Sequence, residues 1–118
     1  MKDIKYDLEE RLIDFAISIS DIVDNLPVTR LGNYIAGQLV RSGNYGEAQS
    51  AESRNDFIHK MKIILKELRE SLISIKIIER KKMHDFDTIL KAKDECNQLV
   101  AIFVKSIETA KKNNITAK

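Results

Sequence analysis

Three groups of side chains in this sequence could take part in chemistry: an aspartate and a histidine one helical turn apart, a single cysteine, and neighbouring glutamates. Asp56 and His59 have the spacing of half of a di-iron site in a helical bundle. Such a site needs a second histidine with a carboxylate at the same spacing, and His84 has none. We therefore expect surface hydrogen bonding at Asp56 and His59, with no metal and no cofactor.

The cysteine and the glutamates also have less reactive interpretations. Cys96 falls among apolar residues of a helical pattern, where a thiol behaves as a small hydrophobic group and its pKa tends to rise. Glu67 and Glu70 are flanked by Lys66 and Arg69, and Lys66 with Glu70 is an ordinary helix pair one turn apart. No spacing typical of a phosphate loop, a zinc site or a serine triad is present. The sequence predicts no enzymatic activity.

Basic residues crowd the middle third of the chain. A charged run is usually a solvated helix face, and the formal net charge of only +2 permits a nucleic-acid site without requiring one. If the protein assembles, each basic patch is multiplied by the number of subunits, and the combined field can hold phosphates. The residues that we predict to contact phosphates are Arg41, Arg54, Lys60, Lys62, Lys66 and Arg69.

Composition indicates the class of protein that carries these residues. The 118 residues are 43% hydrophobic and 32% charged, which is typical of a single helix-rich domain spanning 1–118. Four glycines and one proline leave few places where helices must stop, so the helices should be few and long.

A single cysteine suits a reducing compartment. The first residues lack the apolar core of a signal peptide, and the longest apolar run, Leu99 to Val104, is too short to cross a bilayer. We expect a cytoplasmic protein that does not bind membranes.

Hydrophobic periodicity predicts four helices. The first covers Tyr6 to Asn25 and ends before Pro27, the second starts at an N-cap on Thr29 and runs through Ser42, and the third covers Asn55 to Glu79. The fourth is capped by Asp85, and the polar tail from Lys111 onward is expected to fray. Short connections favour an all-α, antiparallel up-down-up-down four-helix bundle.

Each long helix has an apolar stripe that we predict to face the core. The stripe of the third helix comprises Phe57, Met61, Ile64, Leu68, Leu72 and Ile75. The stripe of the fourth comprises Ile89, Cys96, Val100, Phe103 and Ile107, with Leu99 and Ile102 away from it.

Further isoleucines lie off these stripes, on faces that a single bundle core cannot bury. Isolated surface aliphatic residues are normal, but repeated pairs on two helices suggest an exposed apolar patch. The residues that we predict to form an oligomer interface are Ile13, Ile17, Ile63, Ile73 and Ile77.

The segment from Gln38 to Leu72 resembles the four-helix-bundle proteins encoded by intervening sequences in bacterial 23S ribosomal RNA genes. The resemblance is carried by Q-L-x-R-S at 38–42, N-x-x-E-A at 44–48, E-S-x-x-D-F-I at 52–58 and K-E-x-x-E at 66–70. It implies an antiparallel four-helix bundle that assembles into a ring-like homopentamer. The family is also similar to the accessory proteins of diversity-generating retroelements, which bind nucleic acid and a reverse transcriptase.

One departure from the family pattern concerns the second helix. In relatives an extra turn usually separates the arginine-serine element from the asparagine element, whereas Gly43 alone stands between Ser42 and Asn44 here. The second helix should therefore be shorter than in the family.

Two functional hypotheses remain open. The first is a non-enzymatic homo-oligomeric bundle whose assembled basic surface binds RNA or another nucleic acid. No aromatic residues interleave the basic ones, so base stacking is not supported. The alternative is a protein-interaction scaffold whose charges serve only solubility.

Overall fold

The structure is a computed structural model that describes residues 4–33 and 54–116. In this part of the chain every regular element is an α-helix. Helix α1 covers Ile4–Asp24, α2 begins at Arg30 and is described over 30–33, α3 covers Arg54–Lys81 and α4 covers Phe86–Thr116. The predicted connection at 44–53 and most of the predicted second helix lie outside the described residues. Within the described residues the all-α class is confirmed, and a helix lies at each of the four predicted places, the second only over its first turn.

The turn between α1 and α2 follows the prediction closely. The hydroxyl of Thr29 accepts a hydrogen bond from the backbone N–H of Gly32 at 2.9 Å, which confirms Thr29 as the N-cap of α2. A Cβ atom added to Gly32 would lie 2.2 Å from the carbonyl oxygen of Pro27. A glycine is therefore required here, because the proline turn folds back against the first turn of α2.

The connection between α3 and α4 is a short turn with hydrogen-bonded caps on both helices. Lys82 has a φ of 52° and lies just beyond the end of α3. The N–H groups of Lys82 and Met83 donate to the carbonyls of Glu79 and Ile78 at 3.2 and 3.0 Å, the pattern of a Schellman motif. Asp85 then caps α4 by accepting hydrogen bonds from the backbone N–H and hydroxyl of Thr88, and these bonds lower the pKa of the Asp85 carboxyl.

Replacing Lys82 by glycine is expected to stabilise the fold. A residue with a Cβ is strained in the left-handed region, so Lys82→Gly should raise the free energy of unfolding by about 0.5–1 kcal/mol, measured by urea denaturation. The control is Lys81→Gly, inside the last turn of α3, which should lower it by up to about 1 kcal/mol. Equal destabilisation by both variants would contradict this account of the turn.

Apolar residues of α1, α3 and α4 form one core. The predicted stripe of α3 is largely confirmed, although Phe57 and Leu72 are only partly buried. The prediction for α4 was wrong at two adjacent positions: Leu99 is completely buried, although it was predicted to lie away from the stripe, and Val100 is only partly buried, although it was predicted to face the core. The buried residues of α4 are Ile89, Ala92, Cys96, Leu99, Phe103 and Ile107.

Helix α4 is the element against which the other two long helices pack. Its contact with α3 is the more extensive, and its contact with α1 is smaller. Lys93 of α4 binds Glu79 of α3 at 2.9 Å, and Arg11 of α1 binds Glu95 of α4. Ser71, Ser74 and Cys96 are small buried side chains, and the thiol of Cys96 on α4 contacts the carbonyl oxygen of Leu68 on α3. None of the helices in the described part of the chain has an apolar stretch long enough to cross a bilayer.

Candidate nucleic-acid interface

A groove of about 470 Å³ runs between α3 and α4 on the protein surface. Its apolar floor is formed by Leu65, Ile73, Val104 and Ile107. Four cations, Lys62, Lys66, Arg69 and Lys111, and two carboxylates, Glu70 and Glu108, line the rest. Three of the residues that we predicted to contact phosphates thus lie together, in what we call the basic groove. Its cations outnumber its carboxylates by two.

Helical spacing explains why the cations meet there. Lys62, Lys66 and Arg69 follow one another at intervals of four and three residues, which places them on one face of α3. On α4, Ile107 and Lys111 are also one turn apart and point to the same groove. Helix α3 therefore supplies a row of three cations above the apolar base, and α4 supplies Lys111.

Like charges face each other across the groove. The side chain of Lys111 lies against that of Lys62, and this contact with its positive charge lowers the pKa of Lys62. Within the described residues no carboxylate oxygen lies within 4.0 Å of a charged nitrogen of Lys62, Lys66, Arg69 or Lys111. The groove therefore carries positive charge that its own glutamates do not pair with directly.

Three cations outside the groove, Arg11, Lys60 and Lys93, pair with carboxylates, unlike those of the groove. The guanidinium of Arg11 donates to both carboxylate oxygens of Glu95 and to the side-chain oxygen of Gln98, the latter at 2.8 Å. Lys60 lies 3.4 Å from the carboxylate of Asp56. Lys60 therefore differs from Lys62, Lys66 and Arg69, because an ion pair along its own helix already engages it.

Arg54 and Arg41 are the two remaining predicted phosphate contacts. Arg54 is the first residue of α3, eight residues before Lys62 in the sequence. Arg41 lies outside the described residues.

The isoleucines predicted to form an oligomer interface are mostly exposed. Ile13 and Ile17 of α1 are 45% and 56% exposed, and Ile63 and Ile73 of α3 are 43% and 60% exposed. Ile77 is half-buried and packs against the core, so it offers much less surface to another molecule. Of the five, Ile73 alone lines the basic groove.

The residues considered for catalysis are placed in ways that do not favour it. Cys96 is fully buried and its thiol contacts the carbonyl oxygen of Leu68 at 3.3 Å; burial raises the pKa of the thiol to about 12. Asp56 is engaged with Lys60 rather than with His59. No group of three or more metal-ligating side chains comes together within residues 4–33 and 54–116.

Sequence reasoning missed Lys111 as a member of the site. The polar tail was expected to fray, but α4 continues to Thr116, so the expectation was wrong for its first turn and a half. The available signal was the spacing of Lys111 four residues after the buried Ile107, which extends the same helix face.

Comparison with solved structures gives a similar fold. A crystal structure of a protein of unknown function from the S23 ribosomal protein family of Bacteroides thetaiotaomicron matches this chain with a TM-score of 0.75. The two are 21% identical, and the match covers 85% of this chain and 97% of that one. No protein-family model and no curated protein matches the sequence.

Proposed function

We propose that this protein is a non-enzymatic, self-associating helical bundle that binds RNA or another nucleic acid through the basic groove. The observation that carries the proposal is the meeting of Lys62, Lys66 and Arg69 with Lys111, without direct carboxylate partners among the described residues. A phosphate placed between Lys62 and Lys111 relieves the repulsion between their ammonium groups. Phosphate contacts of this kind set position and affinity rather than sequence preference.

The mode of binding follows from what lines the groove. Its described lining contains no aromatic side chain, so bases have no platform on which to stack. We therefore propose recognition of the sugar-phosphate backbone and of nucleic-acid shape, with binding that depends strongly on salt.

The architecture that we propose is the antiparallel up-down-up-down bundle. Support comes from the pairs that touch: Glu79 lies against Lys93 near the α3–α4 connection, and Lys62 lies against Lys111 at the other end. Contacts of this order support an arrangement in which α3 and α4 run in opposite directions.

The family assignment is part of the same proposal. The sequence motifs resemble the proteins encoded by intervening sequences of bacterial 23S ribosomal RNA genes, and the similar crystal structure belongs to a family named for a ribosomal protein. We place the chain with these bacterial bundles, in the cytoplasm, as a homo-oligomer for which the resemblance implies a pentamer.

The direct test is salt dependence of binding to a structured ribosomal RNA fragment, measured by fluorescence anisotropy. For four phosphate contacts the affinity should fall roughly 100-fold between about 50 and 200 mM monovalent salt. Binding that is undetectable at low salt, or unchanged at high salt, would overturn the proposal.

The scaffold alternative has one observation in its favour, the apolar floor of the groove, which a phosphate backbone does not use. Affinity capture with and without nuclease separates the two functions. Partners lost with the RNA support nucleic-acid binding, and partners that survive nuclease support the scaffold.

A further inference from the structure

One face of α1 is both acidic and apolar. Residues of this face share an arc of about 100° around the helix, at 100° per residue. They are Glu10, Ile13, Asp14, Ile17, Asp21 and Asp24, and all six side chains are exposed. We call this set the acidic face. It contains four carboxylates and two isoleucines but no cation, and the only arginine of α1, Arg11, turns away to bind Glu95 of its own chain.

The acidic face and the basic groove are complementary in charge. Four carboxylates stand opposite four cations, and neither set forms an ion pair within 4.0 Å among the described residues. Both sets also include exposed isoleucine, Ile13 and Ile17 on the face and Ile73 in the groove. A helix with carboxylates beside isoleucines is the kind of partner that a cationic rim around an apolar floor accepts.

The two surfaces also match in length. Asp14 and Asp21 are seven residues apart on α1, and Lys62 and Arg69 are seven residues apart on α3. Seven residues of α-helix span about 10 Å, so two carboxylates and two cations can pair along parallel or antiparallel helix axes. Ile13 and Ile17 lie between or beside these carboxylates, at the positions that would meet the groove floor.

We infer that the acidic face of α1 in one copy of this chain docks into the basic groove between α3 and α4 of a second copy. The contact joins two different surfaces, so each copy has one of each to offer, and successive copies form a closed ring or an open chain. Helix-in-groove docking buries the isoleucines, and the flanking ion pairs fix the orientation of the helix.

This inference rests on the self-association in the proposed function but not on nucleic-acid binding. Both partners use the same cations, since the carboxylates of α1 occupy the positions that phosphates would take. Docking of a second copy and binding of nucleic acid therefore compete at each groove. Excess nucleic acid shifts the protein toward smaller assemblies.

The test is a charge swap between two variants of the full chain, followed by light scattering over a range of concentrations. K62E/R69E makes the groove acidic, and D14K/D21K makes the α1 face basic. Each variant alone should associate about 100-fold more weakly than the natural chain, because like charges then meet. Mixed in equal amounts, the two variants should bind each other, because each altered surface finds its opposite in the other variant. The two variants alternate in such an assembly, so it is an open chain or a ring with an even number of subunits, whatever the number in the natural assembly.

Controls keep the test specific to this contact. K76E/K105E changes the net charge by the same amount as K62E/R69E, but at two exposed lysines outside the groove. This variant should associate as strongly as the natural chain. Circular dichroism verifies that each variant remains helical. D14K/D21K, whose groove is intact, should bind the RNA fragment at least as tightly as the natural chain.

Each failure has a distinct meaning. A natural chain that is monomeric at all concentrations overturns both self-association and the docking contact. An assembly that both single variants retain, or a mixture in which the two variants do not bind each other, overturns the docking contact and leaves self-association through another surface. Loss of RNA binding in D14K/D21K would show that docking of a second copy and RNA binding do not compete, because RNA binding would then require the assembled protein.

Discussion

Replacing Phe103 by alanine is expected to lower the free energy of unfolding by about 3–5 kcal/mol. Phe103 is fully buried at the centre of α4, within the core shared by α1, α3 and α4. Truncation of its ring loses the transfer free energy of the aromatic group and leaves a cavity that the surrounding helices fill only in part. A domain of this size is stable by about 5–15 kcal/mol, so the variant should be close to unfolding at 37 °C. Urea denaturation followed by circular dichroism measures the change.

Phe86 provides a matched control for this substitution. It is on the same helix but 62% exposed, so Phe86→Ala should change the free energy of unfolding by no more than about 0.5 kcal/mol. Similar losses in the two variants would mean that Phe103 does not lie in the core described here.

Neutralising the cations of α3 in the basic groove is expected to abolish most nucleic-acid binding. K62Q/K66Q/R69Q removes three phosphate contacts, which should weaken RNA binding about 100-fold or more at about 0.1 M salt. The plot of the logarithm of affinity against the logarithm of salt concentration should also become flatter by about two to three units. Fluorescence anisotropy at several salt concentrations gives both quantities.

A second variant, with an equal loss of positive charge outside the groove, tests whether nucleic-acid binding depends on the groove or only on the net charge of the protein. K76Q/K91Q/K105Q removes three exposed lysines that do not line the basic groove. This control should lose much less affinity than K62Q/K66Q/R69Q, because its lysines lie away from the proposed contact. Equal losses would show that nucleic acid senses only net charge and would remove the groove from the proposal.

Local signals in the sequence were sufficient to predict the helices and their caps. Thr29 and Asp85 cap α2 and α4 as predicted, because an N-cap depends on a side chain and a backbone group only three residues away. The identity of the core on α3 was also largely predictable from the 3.6-residue period.

The 3.6-residue period alone did not identify which residues of α4 are buried, because this depends on packing between helices. Leu99 and Val100 are neighbours on α4, and either could complete an apolar stripe. Since α4 packs against both α3 and α1, its buried arc turns toward Leu99 and also takes in Ala92. The direction of that rotation depends on where the partner helices lie, which a single helical pattern does not contain.

The basic groove was only half predictable for the same reason. Lys62, Lys66 and Arg69 share a face of α3 by spacing, but their meeting with Lys111 depends on how far α4 extends and on its register against α3. This contact could not be predicted from local sequence patterns, because Lys62 and Lys111 are far apart in the sequence. Likewise, the angular position of Ile77 around α3 predicted a surface residue, but its side chain is half-buried and packs against the core.

The tight turn at 82–85 has a consequence for how the chain folds. Only these residues separate α3 from α4, so bringing the two helices together costs little loop-closure entropy. The contact between α1 and α4 must instead join segments far apart in sequence, and its interface is smaller. We therefore expect the α3–α4 hairpin to form in the folding transition state, with α1 docking onto α4 afterwards.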